Sequence, residues 1–145
     1  MKNIKSISIK KGLVESVISF MNVPLSASES RARNRVVTIL VKELTDIDKE
    51  RDSLLKQYSN KDEKGNFKTI ENGTKYDITP ENLSLVNIEM GKLLNEDFVI
   101  DVLPSNLEDL KVAYKAIKKT EKEMNISEGI LYEELLKKFE VVNEK

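Results

Sequence analysis

From Ser26 to Tyr58 the chain runs without a single Pro or Gly, and no other feature constrains the fold as much. Val36, Leu40, Leu44, Ile47, Leu54 and Tyr58 recur at steps of three, four or seven, which at about 100° per residue confines them to a narrow arc of a helix. Ser26-Ala27-Ser28-Glu29 has capping-box spacing, in which a Ser hydroxyl accepts a first-turn N–H and the Glu three residues on reaches back. Some 30 residues at ~1.5 Å each make a rod of about 45 Å. A compact domain of 145 residues is only about 40 Å across, so the predicted helix either protrudes or kinks near Thr45. A protruding end would suit self-association or a partner.

Shorter elements surround it. Ile7 and Ile9 alternate with Ser6, Ser8 and Lys10, which predicts a strand within Lys2–Lys10. Leu13, Val14, Val17, Ile18, Phe20 and Met21 form the stripe of a helix ended by Asn22-Val23-Pro24. Asp62-Glu63-Lys64-Gly65-Asn66 and Glu71-Asn72-Gly73-Thr74 are turns, the second a hairpin signal, so Phe67–Ile70 and Lys75–Ile78 are predicted to pair as an arm within residues 60–78. Thr79-Pro80 opens a helix with Leu83, Val86, Met90 and Leu94 inward. Asp97–Leu103 is a strand with Phe98, Ile100 and Val102 on one face. Pro104-Ser105 caps a helix to about Lys119, with Leu107, Leu110, Ala113, Tyr114 and Ile117 inward. A last helix, Ser127–Val142, buries Ile130, Leu131, Leu135 and Phe139. The expected architecture is α+β and mainly α. It has about five helices, a small antiparallel or mixed sheet that the hairpin could join, and one domain spanning 1–145.

Composition removes several chemistries. The chain has no His, Cys or Trp, which excludes Ser-His-Asp and Cys-His nucleophiles, thiolate or imidazole metal sites and disulfides. With 24 basic against 25 acidic residues it is no generic polyanion binder. No apolar run approaches the roughly 20 residues of a bilayer span, and no signal-peptide h-region follows the basic start. Five glycines without Walker or Rossmann spacing give no phosphate loop. Asp46, Asp48, Glu50 and Asp52 spread around a helix and are not an EF-hand, and Asp62–Asn66 lacks the rest of that spacing. Neither catalysis nor a cofactor or metal is expected.

Three of the four arginines sit in Ser30-Arg31-Ala32-Arg33-Asn34-Arg35. Arg33 lies within about 20° of Leu40 and Leu44, and Arg51 falls on the same line. A charge there must be paired. Both are therefore predicted to lock a carboxylate at the edge of the core, with Glu89, Asp97 and Asp101 as candidates. Arg31 and Arg35 face outward with Lys42, Lys49 and Lys56, a basic stripe able to meet an anion or an acidic partner. No aromatic side chains interleave with it, which argues against nucleic acid.

The order of segments resembles a family of uncharacterised proteins of tailed phages and prophages of Gram-positive bacteria. The anchors are the strand and apolar helix of Ile7–Met21, the Ser30-Arg31-Ala32-Arg33 opening of a charged helix through Leu55, and a C-terminal helix carrying Tyr132, Leu135, Leu136, Phe139 and Glu140. The acidic strand Glu96–Asp101 also fits this order. The resemblance implies a phage origin and the cytoplasm of an infected bacterium, and it carries no catalytic residues with it. The expected function is non-enzymatic: binding to a host protein, such as a defence component, with self-association as another mode. Two alternatives are a minor virion component or assembly chaperone, and a sponge for a small anionic ligand held by Arg31, Arg35 and Lys42.

Overall fold

A computed structural model describes residues 4–144. The chain is α+β and mainly α, with five helices and two small antiparallel sheets of two strands each. Its contacts divide into two compact units: residues up to Leu44 together with Asp97 onward, and Thr45–Glu96. The long helix, α2, is continuous from Ala27 to Tyr58. Ser26 caps it: its hydroxyl accepts the Glu29 N–H at 3.3 Å and also lies 3.3 Å from the Glu29 carboxylate.

In the first unit, β1 (Ser6–Lys10) pairs antiparallel with β4 (Asp97–Asp101), with Ile7 opposite Ile100 and Ile9 opposite Phe98. The expected start of this strand at Lys2 and Asn3 lies outside the described residues. A 3₁₀ turn, Lys11–Leu13, leads into α1 (Val14–Phe20), a helix of 7 residues. Helices α4 (Leu107–Lys118) and α5 (Ile126–Phe139) complete the unit, and a 3₁₀ turn, Glu140–Asn143, follows α5. The stripes named in the sequence supply the core. Ile7, Val14, Val17, Phe20, Met21, Val36, Leu40, Leu110, Ile117, Leu135, Phe139 and Val142 are buried in one cluster. Phe20 meets Tyr132 edge-on at 5.4 Å, and Tyr114 stacks on Phe139 at 6.1 Å. Such pairs add to the free energy of burying the rings.

Two expectations fail in this unit. Pro104-Ser105 does not cap α4. Asn106 instead accepts from Leu103 N and donates to the Asp101 carbonyl, both at 2.8 Å. That turn ends β4 and delays α4 to Leu107. Ile130 is exposed, because it lies about 140° around α5 from Leu135.

In the second unit, α3 (Pro80–Leu94) starts as predicted: Thr79 accepts the Asn82 N–H at 3.2 Å and Pro80 occupies the first turn. Its buried line is Val86, Met90 and Leu93, while Leu83 is exposed and Leu94 only half-buried. The hairpin strands shrink to β2 (Thr69–Ile70) and β3 (Lys75–Tyr76), and they form a sheet of their own. Glu71, Asn72 and Gly73 all adopt positive φ, so the reversal uses Glu71–Thr74 instead of Asn-Gly alone. Asp62 shapes the other turn, its carboxylate accepting from the backbone of Lys64 and Asn66 at 2.9 Å each. Tyr76 anchors the hairpin by donating to Asp52 of α2 at 2.8 Å.

Candidate binding surfaces

Helix geometry separates the clustered arginines into three jobs. Arg33 reaches the segment that follows α1. Its guanidinium donates to the carbonyls of Met21 at 2.7 Å and Val23 at 2.8 Å, to Ser30 Oγ at 3.2 Å and to Asn34 Oδ1 at 2.8 Å. Carbonyls at a helix C-terminus lack intrahelical donors and carry partial negative charge. Arg33 therefore caps α1 from outside its own sequence. The prediction that it locks a carboxylate is corrected: a planar fork that meets two carbonyls gains charge-assisted bonds without a buried anion. Arg51 likewise holds none of the three candidates. It meets Asp48 of its own helix at 3.4 Å, with both side chains exposed. Glu89 pairs with Lys92 at 3.1 Å and Asp97 with Lys10 at 3.0 Å. Asp101 sits exposed on β4, and its carboxylate has no partner among the described residues.

The outward cations are not equivalent either. Arg35 is joined to Asp109 of α4 at 2.9 Å, and Lys56 to Asp52 at 3.0 Å. Arg31, Lys42 and Lys49 are exposed and unpaired among the described residues. Arg31 and Lys42 are eleven residues apart on one helix, a rise of about 16 Å, so they cannot converge on one small anion.

Shifted titrations accompany surface pairs. Lys115 Nζ lies 2.6 Å from Glu29 and holds its carboxyl below the usual carboxylate range. Lys56, with help from the Tyr76 hydroxyl, does the same for Asp52. The Asp52 carboxylate raises the Tyr76 phenol, and burial raises Tyr114 and Tyr132. Among the described residues no three acidic side chains gather as a metal site requires. An open groove of about 720 Å³ runs between Ser19–Pro24 and Lys119–Lys122. Lys122 is spent across it on Ser19 Oγ at 3.1 Å and on Glu128 at 3.2 Å.

No family model, curated protein or solved structure matches the chain.

The surfaces that the sequence reading missed are apolar. Ile126 is 83% exposed and Ile130 56%, one turn apart on α5. Their signal was available: with Leu135, Phe139 and Val142 setting the buried line, both fall on the opposite side of the helix. Val99, at the centre of β4, is 51% exposed between Asp97 and Asp101. Alternation places these three on the outer face once Phe98 and Ile100 are assigned inward. No helix among the described residues is long and apolar enough to cross a membrane.

Proposed function

We propose that this chain is a non-enzymatic phage protein that works by binding another protein, a host protein in the cytoplasm of the infected bacterium. The exposed Ile126–Ile130 ridge carries the binding reading. Large aliphatic side chains standing singly at a surface are ordinary, but two stacked one turn apart on a helix whose other side is fully packed form a contact strip. The order of sequence segments supports the phage origin. The engagement of Arg35 and the separation of Arg31 from Lys42 weigh against the anion-sponge alternative.

The test is affinity purification of the tagged chain from infected cells, in parallel with an Ile126→Ser/Ile130→Ser variant. The expected result is one host protein recovered stoichiometrically with the parent chain and depleted with the variant. Repeated recovery of the chain alone overturns the reading. A stoichiometric copy number in purified virions would replace it with a structural role.

A further inference from the structure

We infer that the outer edge of β4 is a docking site for an extended peptide segment of the pattern basic-x-apolar-x-basic, added as a third strand beside β1 and β4. The inference rests on the protein-binding reading above and names a surface and a partner chemistry for it.

Ladder parity shows which backbone groups are available. The Val102 N–H donates to the Lys5 carbonyl at 2.8 Å, directly across the register. Bonded and non-bonded pairs alternate along an antiparallel ladder. Ile7/Ile100 and Ile9/Phe98 are therefore bonded, whereas Ser6/Asp101, Ser8/Val99 and Lys10/Asp97 turn their N–H and C=O groups away from each other. Two independent contacts agree with this parity. Lys138 of α5 donates to the Ser8 carbonyl at 2.8 Å, and Asn106 to the Asp101 carbonyl at 2.8 Å. The outer edge of β1 is thus occupied at its centre by Lys138. The edge of β4 is occupied only at its end, by Asn106. Both backbone groups of Val99 and of Asp97 point outward without a partner among the described residues.

Charge selects the occupant. A strand laid antiparallel with its central residue opposite Val99 places its ±2 residues opposite Asp97 and Asp101. A second copy of β4 would set Asp97 against Asp101 twice around a central Val99 pair, and like charges directly opposite are destabilising. The acidic flanks thus protect the edge against self-pairing. A segment with Lys or Arg two residues either side of an apolar residue turns the same flanks into attraction. Asp101 has no internal cation to displace. Asp97 would share its carboxylate with Lys10.

The probe is the synthetic peptide Thr-Lys-Thr-Val-Thr-Lys-Thr, titrated into the full chain by NMR at low salt up to about 1 mM, the weak end of the affinity scale. Its counterpart carries Glu at both Lys positions. The expected result is shifted and exchange-protected amides at Asp97 and Val99, with the Lys peptide at least tenfold tighter than the Glu peptide. Asp101→Lys, an exposed change that leaves the ladder intact and Asp97 in place, should cancel that preference. Val99→Pro removes the outward N–H together with the exposed isopropyl group and should abolish binding while the fold is kept, since proline is tolerated in an edge strand whose N–H faces solvent. Unshifted β4 amides at the highest concentration, or equal binding of the two peptides, overturns the inference. If the peptide fails while the Ile126/Ile130-dependent partner is still recovered, protein binding stands and β4 is not its surface. If the peptide binds but no partner is recovered, the edge is real and the host-protein reading falls.

Discussion

Arg33→Met isolates the contribution of one side chain to the fold, since methionine keeps much of the aliphatic stem and removes only the guanidinium. Four hydrogen bonds are lost. Those to Ser30 and Asn34 join polar side chains of the same helix that water can serve equally well. The bonds to the Met21 and Val23 carbonyls are part-buried and charge-assisted. Bonds of that kind contribute about 1.5 kcal/mol each at the lower end of their range. Releasing an ordered arginine returns about 1 kcal/mol of side-chain entropy. The net loss is about 2 kcal/mol, which for a chain of this size lowers the thermal midpoint by about 4–8 °C. Urea titration should show a lower midpoint at unchanged slope, because the surface exposed on unfolding is the same. Arg33→Lys can regain one carbonyl and should fall between the two. Its partners are backbone carbonyls, which do not titrate, so the difference should not vary with pH. A thermal midpoint within about 1 °C of the parent, against the 2–4 °C expected per kcal/mol, would show that Arg33 is a solvated charge and the capping account wrong.

Three further outcomes follow from contacts elsewhere. Glu29 has a lowered folded-state pKa through Lys115, so its contribution to stability is present above the ordinary carboxylate pKa of about 4 and is lost as pH falls through the lower folded value. An acid titration should therefore show Glu29→Gln with a flatter acid limb than the parent, the two curves converging at the lowest pH; parallel limbs would contradict the pairing. Phe139→Ala should cost about 3–5 kcal/mol in chemical denaturation, while Ile130→Ser stays within about 0.5 kcal/mol, and similar costs for the two would mean that α5 is packed the other way round. Gly73 sits at φ 82°, so Gly73→Ala should raise amide exchange across β2 and β3 by destabilising the turn by about 1 kcal/mol, and an unchanged exchange pattern would contradict the left-handed turn.

Where one physical signal dominated, the sequence was sufficient. α2 follows from unbroken periodicity and a Ser26 cap, β1 from the imperfect alternation of Ile7 and Ile9 with Ser6 and Ser8, β4 from a short apolar run between acids, and α3 from Thr79-Pro80. Boundaries failed where a side chain competed with the expected cap. Asn106 has both a donor and an acceptor, and it closes a turn that Pro104-Ser105 gives no hint of. Facing failed at Ile130 and Leu83, apolar residues that look like core until the buried line of their own helix is fixed by its neighbours. The hairpin strands shortened because three successive residues, not two, take positive φ.

The arginine cluster shows why charge on a helix cannot be assigned from azimuth alone. Azimuth correctly separated Arg33 from Arg31 and Arg35, yet it said nothing about what each would meet. Arg33 found carbonyls because α1 ends beside it, and Arg35 found Asp109 because α4 does not leave that acid fully solvated. Both partners lie far away in sequence or in an element whose approach no local pattern encodes. The same holds in reverse for β4. Asp97 and Asp101 looked like partners for buried arginines, and they are instead the guards of an open strand edge. A residue's chemistry sets what it can recognise, but the fold decides whether that capacity is used internally. What a partner can meet is therefore the remainder, which among the described residues includes Arg31, Lys42 and Lys49, the Ile126–Ile130 ridge, and the unpaired backbone of Val99 between two acids.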